Sequence, residues 1–257
     1  MRVATWNVNG LRARLAYVLH WLRSRQPDVV GLQELKLLDE QFPTAAFEDE
    51  GYSALTHGQK AWNGVAILSR EAADVRQIGL PGQESLGSRL LTADVGGLQF
   101  TTVYVPNGKN LEHADFRRKL GWLDALAEHV RSTHDSDRPA VLCGDFNVVP
   151  QGIDSWNEER LEGTIFHTES ERARIAYLLE GGLVDLYREK YPDERMFSWW
   201  DYRYGSFYKN RGLRIDFLLG TPAVAERLAD ARIDRDYRKK ISGLTASDHA
   251  PVIVDLN

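Results

Sequence analysis

The run Ala140-Val141-Leu142-Cys143-Gly144-Asp145-Phe146-Asn147 decides how this chain of 257 residues is read. Its first four residues are apolar without a polar alternation, so the strand they predict, at 140–146, is covered on both faces. The end of the run changes character, with Asp145 and Asn147 following Gly144. A doubly covered strand tipped by an acid and an amide is how α/β folds mount chemistry. Asp28-Val29-Val30-Gly31-Leu32 repeats the pattern ahead of Gln33-Glu34. Asn and Asp are ordinary turn residues and a lone strand-end Glu ordinarily faces solvent, so the weight rests on how many strand ends agree.

Other short apolar runs, each bounded by Gly, Pro, Asn or Asp, predict strands at 2–8, 28–33, 64–69, 89–95, 98–105, 214–219 and 250–256. Gly96-Gly97 between two of them reads as a hairpin turn, so the sheets are mixed. Leu15, Val18, Leu19 and Leu22 repeat at helical spacing ahead of Pro27; Phe116, Leu120, Leu123, Leu126 and Val130 define a longer helix. Ile175, Leu178 and Leu179 define a third, closed by Gly181-Gly182. No repeat, low-complexity stretch or Pro/Ser-rich linker divides residues 1–257, which predicts a single domain. The expected class is α/β, two mixed sheets packed face to face with helices outside.

Apolar residues make up 43% and charged residues 27%, the balance of a globular protein. The single cysteine, Cys143, has no intrachain partner and fits a reducing compartment. No apolar run approaches the ~20 residues that span a bilayer, and the N-terminus Met1-Arg2-Val3-Ala4-Thr5-Trp6 reads as strand. A cytoplasmic protein without a membrane partner is expected. The net charge of −5 argues against a protein that coats nucleic acid non-specifically, but leaves room for local basic surface. Two segments run against the trend: 203–214, with Lys209, Arg211 and Arg214, and 235–240, with Arg238, Lys239 and Lys240.

Six predicted strands carry a polar group near an end: Asn7, Glu34, Tyr104 with Asn107, Asp145 with Asn147, Asp216, and Asp248-His249. Asp216 lies within Leu213-Arg214-Ile215-Asp216-Phe217-Leu218-Leu219 and needs a partner, because an unpaired buried charge costs several kcal/mol. His249, ahead of Val252-Ile253-Val254, is a candidate. An oxygen-rich cluster with one imidazole and no cysteine suits Mg²⁺ or Mn²⁺ rather than structural zinc. Such sites serve phosphoryl chemistry, where the cation neutralises charge on phosphate oxygens.

With those residues in place, the chain resembles the exonuclease III family of abasic-site (AP) endonucleases, within the endonuclease/exonuclease/phosphatase superfamily, and most the bacterial exonuclease III branch. The resemblance rests on Trp6-Asn7-Val8-Asn9-Gly10-Leu11-Arg12-Ala13, Leu32-Gln33-Glu34, Gly64-Val65-Ala66-Ile67-Leu68, Tyr104-Val105-Pro106-Asn107-Gly108, Gly144-Asp145-Phe146-Asn147, Phe197-Ser198-Trp199-Trp200-Asp201-Tyr202-Arg203, Asn210-Arg211-Gly212-Leu213-Arg214-Ile215-Asp216 and Ser247-Asp248-His249-Ala250-Pro251, in order along essentially the whole chain. It implies a four-layered α/β sandwich and a Mg²⁺-dependent phosphodiester hydrolase of base-excision repair, with Mn²⁺ as a substitute. The reaction implied is cleavage 5′ to an abasic site in duplex DNA, alongside 3′–5′ exonuclease and 3′-phosphatase activity.

The resemblance also implies roles. Glu34 is the principal metal ligand, helped by Asn7 and Asp248, while Asp145, Asn147 and His249 are the set a second ion would use. Asp145 activates water or protonates the leaving oxygen, and Asn147 positions the water or binds the phosphate. His249, oriented by Asp216, contacts the phosphate, which Tyr104 and Asn107 also hold. Trp199, Leu213 and Ile215 form an apolar pocket for a flipped-out abasic sugar, since a site without a base costs little to extrude. Arg211, Arg214 and Lys209, with Arg203, lie along the DNA backbone. The implied partner is double-stranded DNA with abasic sites or 3′ ends, and the implied chain is a monomer in the bacterial cytoplasm, associated with the nucleoid.

Residues 151–170 do not match the family pattern closely, and Asn9 stands where some relatives carry Asp. Two alternatives share parts of the signature. A phosphatase or phosphodiesterase of the same fold acting on lipid or inositol phosphates shares Asn7, Glu34, Asp145, Asn147 and His249, but the segment from Trp199 to Asp216 argues for DNA. A catalytically inactive regulator that binds RNA or a protein would lack ligands at Glu34, Asp145, Asn147, Asp248 or His249, all present here.

Overall fold

A computed structural model describes residues 1–257. Two six-stranded sheets form its centre. In the first, the chain-order strands β1 (Arg2–Asn7), β2 (Val29–Gln33), β3 (Ser53–His57), β4 (Val65–Ser69), β11 (Leu228–Ile233) and β12 (Val252–Leu256) stand in the order β11-β12-β1-β2-β4-β3. In the second, β5 (Ala73–Ile78), β6 (Leu90–Val95), β7 (Leu98–Tyr104), β8 (Ala140–Asp145), β9 (Val184–Asp185) and β10 (Asp216–Gly220) stand in the order β5-β6-β7-β8-β10-β9. Helix α1 (Leu11–Arg25) joins the parallel pair β1 and β2, and α3 (Ala114–Thr133) joins the parallel pair β7 and β8. Every other pairing is antiparallel. The sheets thus share one scheme, although the sequence shows no repeat. Helix α2 (Thr44–Glu48) precedes β3; α4 (Glu158–Leu161), α5 (Glu169–Glu180), α6 (Leu186–Lys190) and α7 (Pro222–Ala225) complete the fold.

Side chains alternate across a strand, so each inner strand feeds two cores. Val3 and Val29 point between the sheets, packed with Phe100, Val141, Cys143 and Leu218. Their neighbours Ala4 and Val30 point outward, under Tyr17, Val18, Trp21 and Leu22 of α1. Leu142 on the far sheet points the other way, against Trp122, Leu126 and Val130 of α3 and Ile175 and Leu178 of α5. This gives helix, sheet, sheet, helix, and explains why these strands read as unbroken apolar runs. The sheets approach closely at Gly31, where an added Cβ would sit 2.6 Å from Thr102 Oγ1 and 2.9 Å from Cys143 Sγ. Beside it, the buried Gln33 Nε2 donates to Thr5 Oγ1 at 2.9 Å and to Thr102 Oγ1 of the opposite sheet at 2.8 Å.

The hairpin at Gly96-Gly97 forms as expected, with both φ values positive and Val95 opposite Leu98. The helix expected over 116–130 extends to Ala114–Thr133. The strands expected to begin at 214 and 250 begin instead at Asp216 and Val252, because Ile215 and Ala250 bond to Ser198 in the irregular segment at 197–200 and the Arg214 amide bonds to the Asp154 carbonyl. Strands β3, β5, β9 and β11 lie outside the eight expected runs. No helix is long and apolar enough to cross a membrane.

Candidate active site

The register of the parallel pairs sets the site. Asn7 stands opposite Gln33 at the ends of β1 and β2, with Glu34 one residue beyond. Tyr104 stands opposite Asp145 at the ends of β7 and β8, and Asp145 opposite Asp216 at the start of β10. The two sheets therefore bring their polar ends to one seam. The buried amide of Asn7 bridges it, Nδ2 donating to Glu34 Oε1 at 2.8 Å and to Asp145 Oδ2 at 2.9 Å. Asn9, Glu34, Lys36 and Asn147 all have φ between 46° and 57°, an uncommon backbone region for residues with a Cβ. Such residues cluster where local geometry serves a site.

Asp145 is buried and fixed on both oxygens. Asn147 N donates to Oδ1 at 2.9 Å, and Asn147 Nδ2 lies 3.3 Å from Oδ2. Asn107 Nδ2 in turn donates to Asn147 Oδ1 at 3.2 Å. Burial pushes the Asp145 carboxyl up to about 7; His249 pulls against this, while Asp216 and Glu34 add to it. Asp216, 1% exposed, faces His249 Nδ1 at 2.9 and 3.1 Å. Burial opposes charge on His249, but Asp216 and Asp145 outweigh it and hold the imidazole up at about 10. Its other nitrogen, Nε2, lies 3.8 Å from Asp145 Oδ2. Burial drives the Tyr104 phenol well above its ordinary value, reinforced by Glu34 and Asp145.

Glu34, Asp145 and His249 each offer a ligand atom, all within 4.8 Å of one another. The two carboxylates supply the oxygen donors that suit a hard divalent cation, while His249, held as imidazolium, has no lone pair to add. Asp248 does not belong to this group. Its Oδ1 accepts from Asn9 Nδ2 at 2.8 Å and its Oδ2 from Trp199 Nε1 at 3.1 Å, so it borders the cluster from the side of the apolar residues.

Those apolar residues line a cavity of about 470 Å³ whose walls include Trp156, Leu161, Phe166, Trp199 and Leu213, with Arg160 and Arg211 also lining it. Ile215 lies beneath, 2% exposed, packed with Leu213 and Val149. Phe166 packs on the same cluster with φ of 73°, a strained conformation for an aromatic residue. Arg211 is exposed, its guanidinium 5.1 Å from the Trp156 ring centre. The expectation that Arg214 lies along DNA is corrected. It is 1% exposed and bound inside the fold, ahead of β10, to Asp154 at 2.6 Å and Asp185 at 2.7 Å. Arg238 is likewise buried, donating to the carbonyls of Asp248 and Trp200 at 3.1 Å.

Four residues of the site escaped the reading of the sequence. Ser198 Oγ donates to Asp216 Oδ2 at 2.6 Å and accepts from the Asp216 amide at 3.1 Å. Lys36 Nζ lies 2.8 Å from Glu34 Oε2 and donates to Asn9 Oδ1 at 2.6 Å. Arg89 covers the Tyr104 ring at 4.8 Å and donates to the Tyr104 carbonyl at 3.0 Å. Phe166 lies in the stretch that departs from the family pattern. For Ser198 and Lys36 the one signal available was closeness in sequence, Ser198 next to Trp199 and Lys36 two residues after Glu34.

The profile of the Endonuclease/Exonuclease/phosphatase family matches residues 4–249. Exodeoxyribonuclease III of Haemophilus influenzae is 36% identical over 98% of both chains. Among solved structures, an AP endonuclease from Archaeoglobus fulgidus superposes with a TM-score of 0.96 at 35% identity, covering 100% of this chain and 99% of the other. The 3′ phosphatase NExo from Neisseria, bound to a product DNA hairpin, superposes with a TM-score of 0.94 at 38% identity and the same coverage. With the strand ends, the seam between the sheets and the sequence all in agreement, the chain belongs to the endonuclease/exonuclease/phosphatase family.

Proposed function

We propose that this chain is a Mg²⁺-dependent nuclease of duplex DNA that hydrolyses the phosphodiester 5′ to an abasic site and removes nucleotides or phosphate from 3′ ends. The observation that carries this reading is the seam itself: Glu34 and Asp145 facing a charged His249, beside an apolar cavity walled by Trp199 and Leu213. Glu34 and Asp145 would hold the cation, with Asn7 between them and Asp248 bordering, and the cation supplies charge neutralisation at the phosphate. Mn²⁺ has the same ligand preference.

The chain's own groups do the rest. His249, held as imidazolium through Nδ1 by Asp216, presents Nε2–H to a phosphate oxygen. Asn107 and Tyr104 offer further donors as charge builds on the phosphate, the interaction whose loss typically costs about 10²–10³ in rate. Asp145, fixed by Asn7 and Asn147, orients the attacking water and takes its proton at a carboxylate oxygen. Trp199 and Leu213 receive the apolar face of the sugar.

A second reading makes 3′-end processing the main reaction, and Phe166 favours it. Its ring packs toward Leu213 and Ile215, in space a flipped sugar would use. The Neisseria relative is itself described as a 3′ phosphatase.

One assay separates the readings. The protein is given a duplex with an internal tetrahydrofuran abasic analogue, a nicked duplex ending in a 3′-phosphate, and an inositol polyphosphate, each in Mg²⁺ and in EDTA. Incision of the first and dephosphorylation of the second, only in Mg²⁺, are expected. Reaction at 3′ ends alone supports the second reading. Turnover of the inositol phosphate alone, or no turnover over a broad pH range, overturns both.

A further inference from the structure

One buried ion pair lies behind the site and bonds to its backbone. Lys119 of α3 and Glu171 of α5 are both 0% exposed and form a direct salt bridge. An ion pair so deep needs its remaining donors and acceptors satisfied, or it destabilises the fold. Here they are satisfied by three separate segments. Lys119 Nζ donates to the carbonyl of Asn147 at 2.6 Å and to that of Asn107 at 3.4 Å. Glu171 Oε1 accepts from the Phe166 amide at 3.1 Å, and Oε2 from the amide and hydroxyl of Thr168 at 3.1 and 2.7 Å. The ammonium also lies 4.8 Å from the Phe166 ring centre. The loop at Asn107 is fitted against this pair: a Cβ at Gly108 would meet Lys119 Cδ and Ile165 Cδ1, each at 3.1 Å.

Asn107 and Asn147 are the phosphate-side amides of the site, and residues 165–167 are a wall of the apolar cavity. The pair therefore holds both in one frame. We propose that Lys119 and Glu171 are positioning residues, which set Asn147 and Asn107 at a fixed distance from the cavity wall at Phe166 and so couple phosphate alignment to sugar recognition. This rests on the nuclease reading above. Neither residue touches substrate. Their effect is geometric, and a misplacement of about 1 Å in such a group can cost about 10²-fold in rate. Lys119 alone truncated would strand Glu171 in the interior, so the informative variants keep the site neutral or keep the pair.

Two variants of the whole chain test this, with the wild type assayed beside them on the abasic-analogue duplex and the 3′-phosphate duplex. Lys119→Met combined with Glu171→Gln removes both charges while the single amide oxygen of Gln keeps an acceptor for the amide and hydroxyl of Thr168. Lys119→Arg keeps the charge pair but replaces a single ammonium with a wider fork. Both should stay folded at the assay temperature, with kcat lowered about tenfold or more, KM changed less, and the ratio of activities on the two substrates shifted. A structural role alone would lower the melting temperature and leave kcat and that ratio at wild-type values. That result in either folded variant overturns the proposal. If one variant does not fold, the other decides. A wild type inactive on both duplexes would instead overturn the nuclease reading on which the proposal stands.

Discussion

At the scale of single residues the site is a problem of charge. Asp145, Glu34 and Asp216 surround one imidazole in a seam closed to water on most sides. Asp145 is pushed from its ordinary 3.8 to about 7, and His249 is held up from 6.5 to about 10. Both groups keep, in the folded chain, a proton they would release on unfolding. The folded state then binds more protons than the unfolded one across this window, so stability falls as pH rises from about 4 to about 10. A cation competes with the proton at the carboxylates, so its stabilising effect grows with pH. Melting curves in EDTA should therefore shift down from about pH 6 to about pH 9, and the increment on adding Mg²⁺ should widen over the same range. An increment that shrinks with pH would place the cation away from Asp145. Glu34→Ala and Asp145→Asn should each lower activity by about 10² or more in Mg²⁺, and near-wild-type rates in either would remove the role given to it. Ser198→Ala withdraws a hydrogen bond from the buried Asp216 carboxylate. It should cost about 1.5–3 kcal/mol in denaturant melts and lower kcat more than it raises KM, because the Asp216 carboxylate that anchors the imidazole is held less firmly.

At the scale of elements, the eight strands read from the sequence are the eight inner strands, and the four missed, β3, β5, β9 and β11, are the four edges of the two sheets. The reason is solvent. An inner strand here is covered on both faces and reads as an unbroken apolar run, whereas β5, Ala73-Asp74-Val75-Arg76-Gln77-Ile78, is mostly exposed, and β9 has only two residues. The site was legible for the same reason, since its residues cap the most apolar runs and a polar residue at such an end stands out. Ser198 and Lys36 did not stand out, because a serine beside two tryptophans or a lysine in a loop has many ordinary explanations. Arg214 misled because charge in a basic-looking stretch reads as surface, whereas its partners Asp154 and Asp185 lie 60 and 29 residues away in sequence. Gly144 shows how tightly an element fixes the chemistry. Its φ is 144°, and an added Cβ would lie 1.9 Å from the carbonyl oxygen of Val103. No side chain can move to relieve a backbone contact, so Gly144→Ala should part β7 from β8 and shift Asp145 relative to Tyr104. The expected result is a large fall in melting temperature with activity lost; an active, stable alanine variant would show that the register tolerates the shift.

At the scale of the molecule, neither sheet owns the site: β1, β2 and the approach to β12 supply Asn7, Glu34 and His249, while β7, β8 and β10 supply Tyr104, Asp145 and Asp216. The face around that seam must meet a polyanion although the chain carries a net charge of −5. Few cations are free to do so. Arg214 and Arg238 are buried, Arg203 is paired with Asp201 at 2.6 Å, and Lys239 with Asp236 at 2.5 Å. Arg160 and Arg211 remain, exposed at the cavity, together with the exposed Lys209 and Lys240 of the two basic segments. Each phosphate contact contributes about 0.9 to the slope of log affinity against log salt on duplex DNA. A shallow slope is therefore expected for this chain, and Arg211→Ala should reduce it by about one unit while leaving the melting temperature in place. Arg214→Ala should do the reverse: the slope stays and the fold loses about 3 kcal/mol, because Asp185 loses its cation and Asp154 keeps only Arg188. Titrating a labelled duplex in EDTA over a range of salt, with melts of the same proteins, measures both. A slope unchanged in Arg211→Ala would take that residue off the DNA face, and a slope reduced in a stable Arg214→Ala would mean that the buried network opens when DNA binds.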